Sequence, residues 1–279
     1  MGGLHTAFAV IPAAEAAESA VAAFQALPLA EPARLIGLHV APIAITFGLA
    51  TDMALASFIE AQIAAADEER KAAEAAFVEA ARRAGIDFDW RAEKSADSLV
   101  SPHAGAMARA ADIILCPQLR GEASIGRHQL EEVVFTSGRP VIGLPAGWSV
   151  KKLGRRVLIA WDGGREATRA VFDALPILIR AEAVRIVSVQ GFLDEPVRQF
   201  TPGDDIAATL SRHGVKVETN TFRATRGSMR DELKAQALDF GADMAVMGCY
   251  GHSRFRERIL GGVSHSMLKD ILFPLLLAN

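Results

Sequence analysis

The chain carries one pattern twice, and a repeat of this length constrains the fold more tightly than any single motif within it. Ala26-Leu27-Pro28 recurs as Ala174-Leu175-Pro176. Each follows an alanine-rich helical stretch and precedes a short apolar run, residues 35–40 in one copy and 184–189 in the other. Gly85-Ile86-Asp87-Phe88 returns as Gly214-Val215-Lys216-Val217, and Ala111-Asp112-Ile113-Ile114-Leu115 as Ala242-Asp243-Met244-Ala245-Val246. Arg139-Pro140-Val141-Ile142-Gly143-Leu144 returns as Phe273-Pro274-Leu275-Leu276-Leu277. Five correspondences in one order mark a duplicated unit.

The spacing between copies falls from 148 positions at Ala26 to 131 at Ala111, so the first copy is the longer in between. The extra length holds an amphipathic helix, with Ile59, Ile63, Phe77 and Ala84 at roughly helical spacing and Gly85 as its stop. The matching region of the second copy, residues 191–212, carries Pro196, Pro202 and Gly203 and reads as a loop plus a stub of helix.

Each copy reads β-α-β-α-β-α-β-α-β. Strands such as Val157-Leu158-Ile159-Ala160 and Met244-Ala245-Val246-Met247 are continuous apolar runs, the pattern of parallel strands covered on both faces. The expected class is α/β, as two tandem doubly wound, mainly parallel open sheets with helices on both faces, Rossmann-like in layout. The expected division is residues 1–147, a linker at 148–154 and residues 155–279.

Composition narrows the partners. A formal net charge of −3 across 279 residues gives no electrostatic case for nucleic acid or an anionic membrane. The longest uncharged apolar stretch, residues 40–51, is too short to span a bilayer, which takes about 20 residues. No secretory signal pattern opens the sequence. Cys116 and Cys249 have no metal or redox spacing and suit a reducing compartment, most simply the cytoplasm. The basic run Lys151-Lys152 with Arg155-Arg156 reads as solvated surface.

The chemistry lies in the second copy. In an open parallel sheet, ligands bind at the carboxyl ends of the strands where strand order reverses. Asp162 ends the first strand in Ala160-Trp161-Asp162-Gly163-Gly164, where a carboxylate can accept from a ribose hydroxyl or a base amine. After the fourth strand come Gly248-Cys249-Tyr250-Gly251, nine residues, and then Gly261-Gly262-Val263-Ser264 opening a last helix. Glycines let backbone approach a ligand closely, and amides at a helix start suit phosphate. The same glycines also serve a tight strand-to-helix connection with no ligand, and both readings stand at this point.

A strand ending in Asp-Gly, followed by G-x2-G-x9-G before a helix, resembles the ATP-binding subset of the universal stress protein family. The likeness covers the chain as a tandem form, weakly over residues 1–147 and well over 154–279. It implies that Asp162 and the main chain near Val189 meet adenosine. Gly248 and Gly251 would lie against ribose and α-phosphate, with His252 beside them. Gly261, Gly262 and Val263 would hold the outer phosphates, with Ser264 two residues beyond Gly262. The ligand implied is ATP or a related adenine nucleotide, with no metal beyond nucleotide-associated magnesium. The family pattern has Ser or Thr where this chain has Gly262, which removes one hydroxyl donor.

The first copy has Val10-Ile11-Pro12-Ala13 where Asp162 has its counterpart, and Pro117 where Gly248 stands. Leu130, Glu131 and Glu132 fall where Gly261 and Gly262 should, and are expected to set two carboxylates at a helix N-terminus. This half is expected to bind no nucleotide and to serve as a built-in partner, its Val141–Leu144 edge pairing with Leu275-Leu276-Leu277. A homodimer of the whole chain stays open.

His252, His265 and Cys249 match no zinc spacing, and no nucleophile, base or carboxylate pair assembles for catalysis. Three functions follow in order: a non-enzymatic stress-response protein carrying an adenine nucleotide, an interaction scaffold with no nucleotide, and a slow adenine-nucleotide hydrolase.

Overall fold

A computed structural model describes residues 3–42, 53–95, 100–120, 123–149, 152–190, 203–223, 229–249 and 271–279. The first half runs β1 (Leu4–Val10), α1 (Ala16–Ala26), β2 (Leu29–Pro42), α2 (Met53–Ala84), β3 (Asp87–Ser95), α3 (Val100–Met107), β4 (Ile113–Pro117), α4 (Ala123–Ser137) and β5 (Val141–Leu144). The second half runs β6 (Arg156–Trp161), α5 (Arg165–Asp173), α6 (Leu175–Leu178), β7 (Ala183–Gln190), α7 (Asp204–Arg212), β8 (Val217–Arg223), α8 (Met229–Phe240), β9 (Met244–Gly248) and β10 (Leu275–Ala278).

The two expected sheets are one. Its order is β3-β2-β1-β4-β5-β10-β9-β6-β7-β8, parallel within each half and antiparallel only where β5 meets β10. The junction register pairs Leu275 with Gly143, Leu276 with Ile142 and Leu277 with Val141, the edge pairing that the family resemblance implied. Alternate side chains of the strands fill two cores, one per face. Ala7, Ile113, Ile142, Leu276, Val246 and Ile159 face the helices α1, α2, α5, α6 and α7. Phe8, Ile114, Val141, Leu277, Met247 and Leu158 face α3, α4 and α8. Both cores cross the junction, so neither half buries its strands alone.

Local chemistry explains the element ends. Gly85 stops α2 at φ +65°. Phe77 on α2 packs edge-on against Phe88 and tilted against Trp90. Gly37 makes the room, since a Cβ there would stand 2.8 Å from both the Phe77 and the Trp90 ring. Among the described side chains of the stripe, Phe77 is in the core while Ile63 is 38% exposed.

One expectation needs correction. Leu130, Glu131 and Glu132 lie mid-helix in α4, because the helix already begins at Ala123; Leu130 is buried and the two carboxylates do not meet the helix dipole. The matched Leu-Pro pairs diverge locally: Leu27 leaves α1 extended, at ψ 157°, whereas Pro176 sits in the first turn of α6, where its missing N–H costs little. Lys152, Arg155 and Arg156 are exposed, as expected of solvated surface, and the two arginines also hold local contacts. Arg156 donates from Nε to the Phe240 carbonyl at 2.7 Å and lies 4.3 Å over its ring, and Arg155 pairs with Glu182. The stub expected within 191–212 is the nine-residue α7.

Candidate functional site

In the second half the chain steps from β6 outward through β7 and β8, then returns to place β9 on the other side of β6. The reversal therefore lies between β6 and β9, whose pairing runs to Ala160 opposite Met247. Asp162 follows β6 directly, and Gly248 ends β9. The structure thus brings these two expected residues to neighbouring strand ends at the switch point, where α/β sheets take ligands.

Asp162 is exposed and builds the turn it stands in. Its Oδ1 accepts from the Gly164 amide at 2.7 Å. Gly163 adopts φ +73°, a backbone geometry that favours glycine, and Gly164 caps α5. The Thr168 hydroxyl then donates back to the Gly164 carbonyl at 2.9 Å. Gly248 has a packing reason of its own. A Cβ there would press on the Ala167 amide and stand 2.5 Å from the Glu166 carbonyl carbon. The missing side chain is the space through which the first turn of α5 reaches the end of β9.

Val189 lies on β7, in register with Phe222 on β8. Next to it, Ser188 is buried and its Oγ is 3.3 Å from Thr221 Oγ1. Gly203, at φ +72°, sits over this end: a Cβ on it would stand 3.0 Å from Ile186 Cγ2, 3.7 Å from Ser188 Oγ and 3.9 Å from Trp161 Cδ1. The start of α7 therefore covers the ends of β6 and β7. Asp204 and Asp205 in its first turn already meet the positive end of its dipole. Pro202-Gly203-Asp204-Asp205 is the sequence signal for this helix start, and it also marks a loop, so the packing of Gly203 over Ile186, Ser188 and Trp161 is not legible from it. Gly251, His252, Gly261, Gly262, Val263 and Ser264 lie outside the described residues, as do His265 and the expected last helix.

The first half places different residues at its switch point. Ala7 pairs with Ile113 and Val157 with Met244, so Ala7 corresponds to Val157 and Pro12 to Asp162. Pro117, the counterpart of Gly248, is buried at the end of β4. His39 stands where Ser188 stands in the second half. It is buried, donates from Nδ1 to the Ile11 carbonyl at 2.8 Å, and stacks on Trp90 at 6.4 Å. Glu15 crosses the gap and accepts from the Arg120 amide at 3.0 Å.

Among the described residues no group of three or more His, Cys, Asp or Glu is placed to hold a metal ion, and no helix is long and apolar enough to cross a membrane.

The Universal stress protein family model matches residues 154–279. Among solved structures, a universal stress protein from Archaeoglobus fulgidus DSM 4304 aligns with a TM-score of 0.69 at 18% identity, covering 100% of this chain and 97% of its own. A functionally unknown protein from Pseudomonas aeruginosa PAO1 aligns with a TM-score of 0.54 at 14% identity, covering 99% of this chain and 92% of its own. At these identities the likeness is one of fold. No curated protein matches the chain.

Proposed function

We propose that the second half, whose residues 154–279 the Universal stress protein family model matches, is a non-enzymatic carrier of an adenine nucleotide in a cytoplasmic stress response. One observation supports this most: the exposed Asp162 carboxylate and Gly248 end the adjacent strands β6 and β9 at the strand-order reversal. Asp162 fits a ribose or adenine donor, and the main chain of Val189 stands one strand away on β7. Gly248 and Gly251 would meet ribose and α-phosphate, with His252 beside them. Gly261, Gly262, Val263 and Ser264 would supply amides and one hydroxyl to the outer phosphates, with magnesium arriving on the nucleotide.

A second reading has its own observation. Because Gly248 is already required by the packing of α5, that glycine needs no ligand to explain it. On that reading the chain is an interaction scaffold.

Mass spectrometry of ligand released from the denatured purified protein, followed by ATP titration calorimetry, separates the two. Adenine nucleotide in the eluate, or micromolar binding lost in Gly261→Asp, is the expected result. No ligand and no heat at millimolar ATP would overturn the nucleotide proposal and leave the scaffold.

A further inference from the structure

We propose that the first half encloses a small hydroxyl-bearing guest beside β2 and β3, a bound water or the hydroxyl of a small solute, with Trp90 Nε1 donating to it and His39 Nε2 accepting from it. The site goes beyond the nucleotide reading of the second half and does not depend on it.

Trp90 Nε1 is buried and has no hydrogen-bond partner among the described residues. A buried N–H that is left unpaired gives up water for nothing, and in folded proteins nearly all such groups have a protein or water partner. The packing holds this indole in place. Trp90 pairs with Gly37 across β2 and β3, and a Cβ on Gly37 would stand 2.8 Å from Trp90 Cε3 and from the Phe77 ring. Phe77 on α2 packs against the indole with ring centroids 5.4 Å apart. The N–H cannot swing out to bulk water without breaking these contacts.

His39 is the neighbouring ring, 6.4 Å away and inclined at 24°. It is 2% exposed. Its Nδ1 faces the Ile11 carbonyl at 2.8 Å, and a carbonyl only accepts, so Nδ1 carries the proton and Nε2 of the neutral ring is an acceptor. Among the described residues Nε2 has no partner. A buried donor and an acceptor, both unpaired, therefore stand on adjacent rings. A guest that only accepts would leave Nε2 unanswered, and one that only donates would leave Nε1. An O–H group does both, and water or a small alcohol carries it in little volume.

The second half has no such pair. The strand registers put Ser188 at the place of His39 and Thr219 at the place of Trp90. Ser188 Oγ is within 3.3 Å of Thr221 Oγ1, and Thr219 is exposed. The donor and acceptor belong to the first half alone, away from the nucleotide region.

The test is NMR on the full chain with isotope-labelled tryptophan, whose three indole N–H signals come from Trp90, Trp148 and Trp161. Trp90→Phe assigns the first by its loss. A bound water should give Trp90 Hε1 a negative Overhauser effect from the water line, the sign of a long-lived contact. A solute should instead give cross-peaks from non-protein C–H groups, with a hydroxyl compound found by mass spectrometry of the extract. His39→Leu removes the acceptor and should speed hydrogen exchange at Trp90 Hε1 about tenfold, while His39→Gln, whose amide both donates and accepts, should keep the wild-type rate. A Trp90 Hε1 with neither contact, at the upfield shift of an unbonded indole, would overturn the inference, and this reading needs only the wild type. Equal exchange rates in wild type and His39→Leu would overturn it too, as would equal acceleration in both variants, which would assign His39 to packing.

Discussion

Asp112 and Asp243 perform the same task at corresponding places, each clamping the first strand of its half. Asp112 Oδ2 accepts from the His5 and Thr6 amides at 2.8 and 3.0 Å, and its own amide returns a bond to the Thr6 carbonyl at 2.9 Å. Asp243 accepts from the Arg155 and Arg156 amides, both at 3.1 Å, and returns its amide to the Arg156 carbonyl at 3.0 Å. Two amides at a strand start have no ladder partner on that side, so removing the carboxylate strands both. Asp112→Ala and Asp243→Ala should each lower the unfolding free energy by about 1–2 kcal/mol, read by urea titration.

This clamp shows why the duplication was legible. The Ala-Asp-apolar string recurs because a carboxylate at that point is needed once per half. The strands were equally plain, since a parallel strand covered on both faces is apolar throughout. Other features hid in the sequence for physical reasons. The stretch of α2 over residues 61–72 follows from helix propensity without core burial, so the periodic stripe could not show where packing stops. The start of α4 at Ala123 is set by local geometry, and counting forward from β4 by the second half's spacing misplaced Glu131 and Glu132. At the site, Asp162 and Gly248 stood out as residue types in a known spacing. The role of Gly248 against Glu166 and Ala167 is a tertiary contact that no local pattern carries.

The shared cores predict how the chain unfolds. Leu276 is fully buried opposite Ile142, in the antiparallel pair that joins the halves. Leu276→Ala should cost about 2–5 kcal/mol, the range for a large-to-small change in a packed core. Because both cores run across the junction, calorimetry should give one thermal transition for the wild type. Two separate transitions would mean that the halves fold as independent domains.

Burial pushes the Cys116 thiol up, from its ordinary 9.0 to about 12. The folded state then holds its proton where the unfolded state has lost it. The stabilising contribution is complete below pH 9 and disappears as pH rises from 9 towards 12. Cys116 should therefore resist a thiol reagent at pH 8 until the chain is unfolded in guanidinium. Cys116→Ala should flatten the alkaline fall in stability, measured as Tm between pH 8 and 10.

Asp162 and Gly248 each have a structural task beside the proposed one, and paired substitutions separate the two. Asp162→Asn keeps a side-chain oxygen for the Gly164 amide and removes the charge; Asp162→Ala removes both. The turn then predicts near wild-type stability for Asp162→Asn and a loss of about 1 kcal/mol for Asp162→Ala. A ligand that uses the carboxylate predicts weaker ATP binding in both, by about tenfold for Asp162→Asn. Gly248→Ala should cost about 1–3 kcal/mol, because the new Cβ meets backbone at Glu166 and Ala167 and the start of α5 must move. Stability by urea titration and ATP affinity by calorimetry, measured on the same three proteins, give the answer. If Asp162→Asn binds ATP as the wild type does, the carboxylate serves the turn alone, and the adenosine contact must come from the β7 main chain.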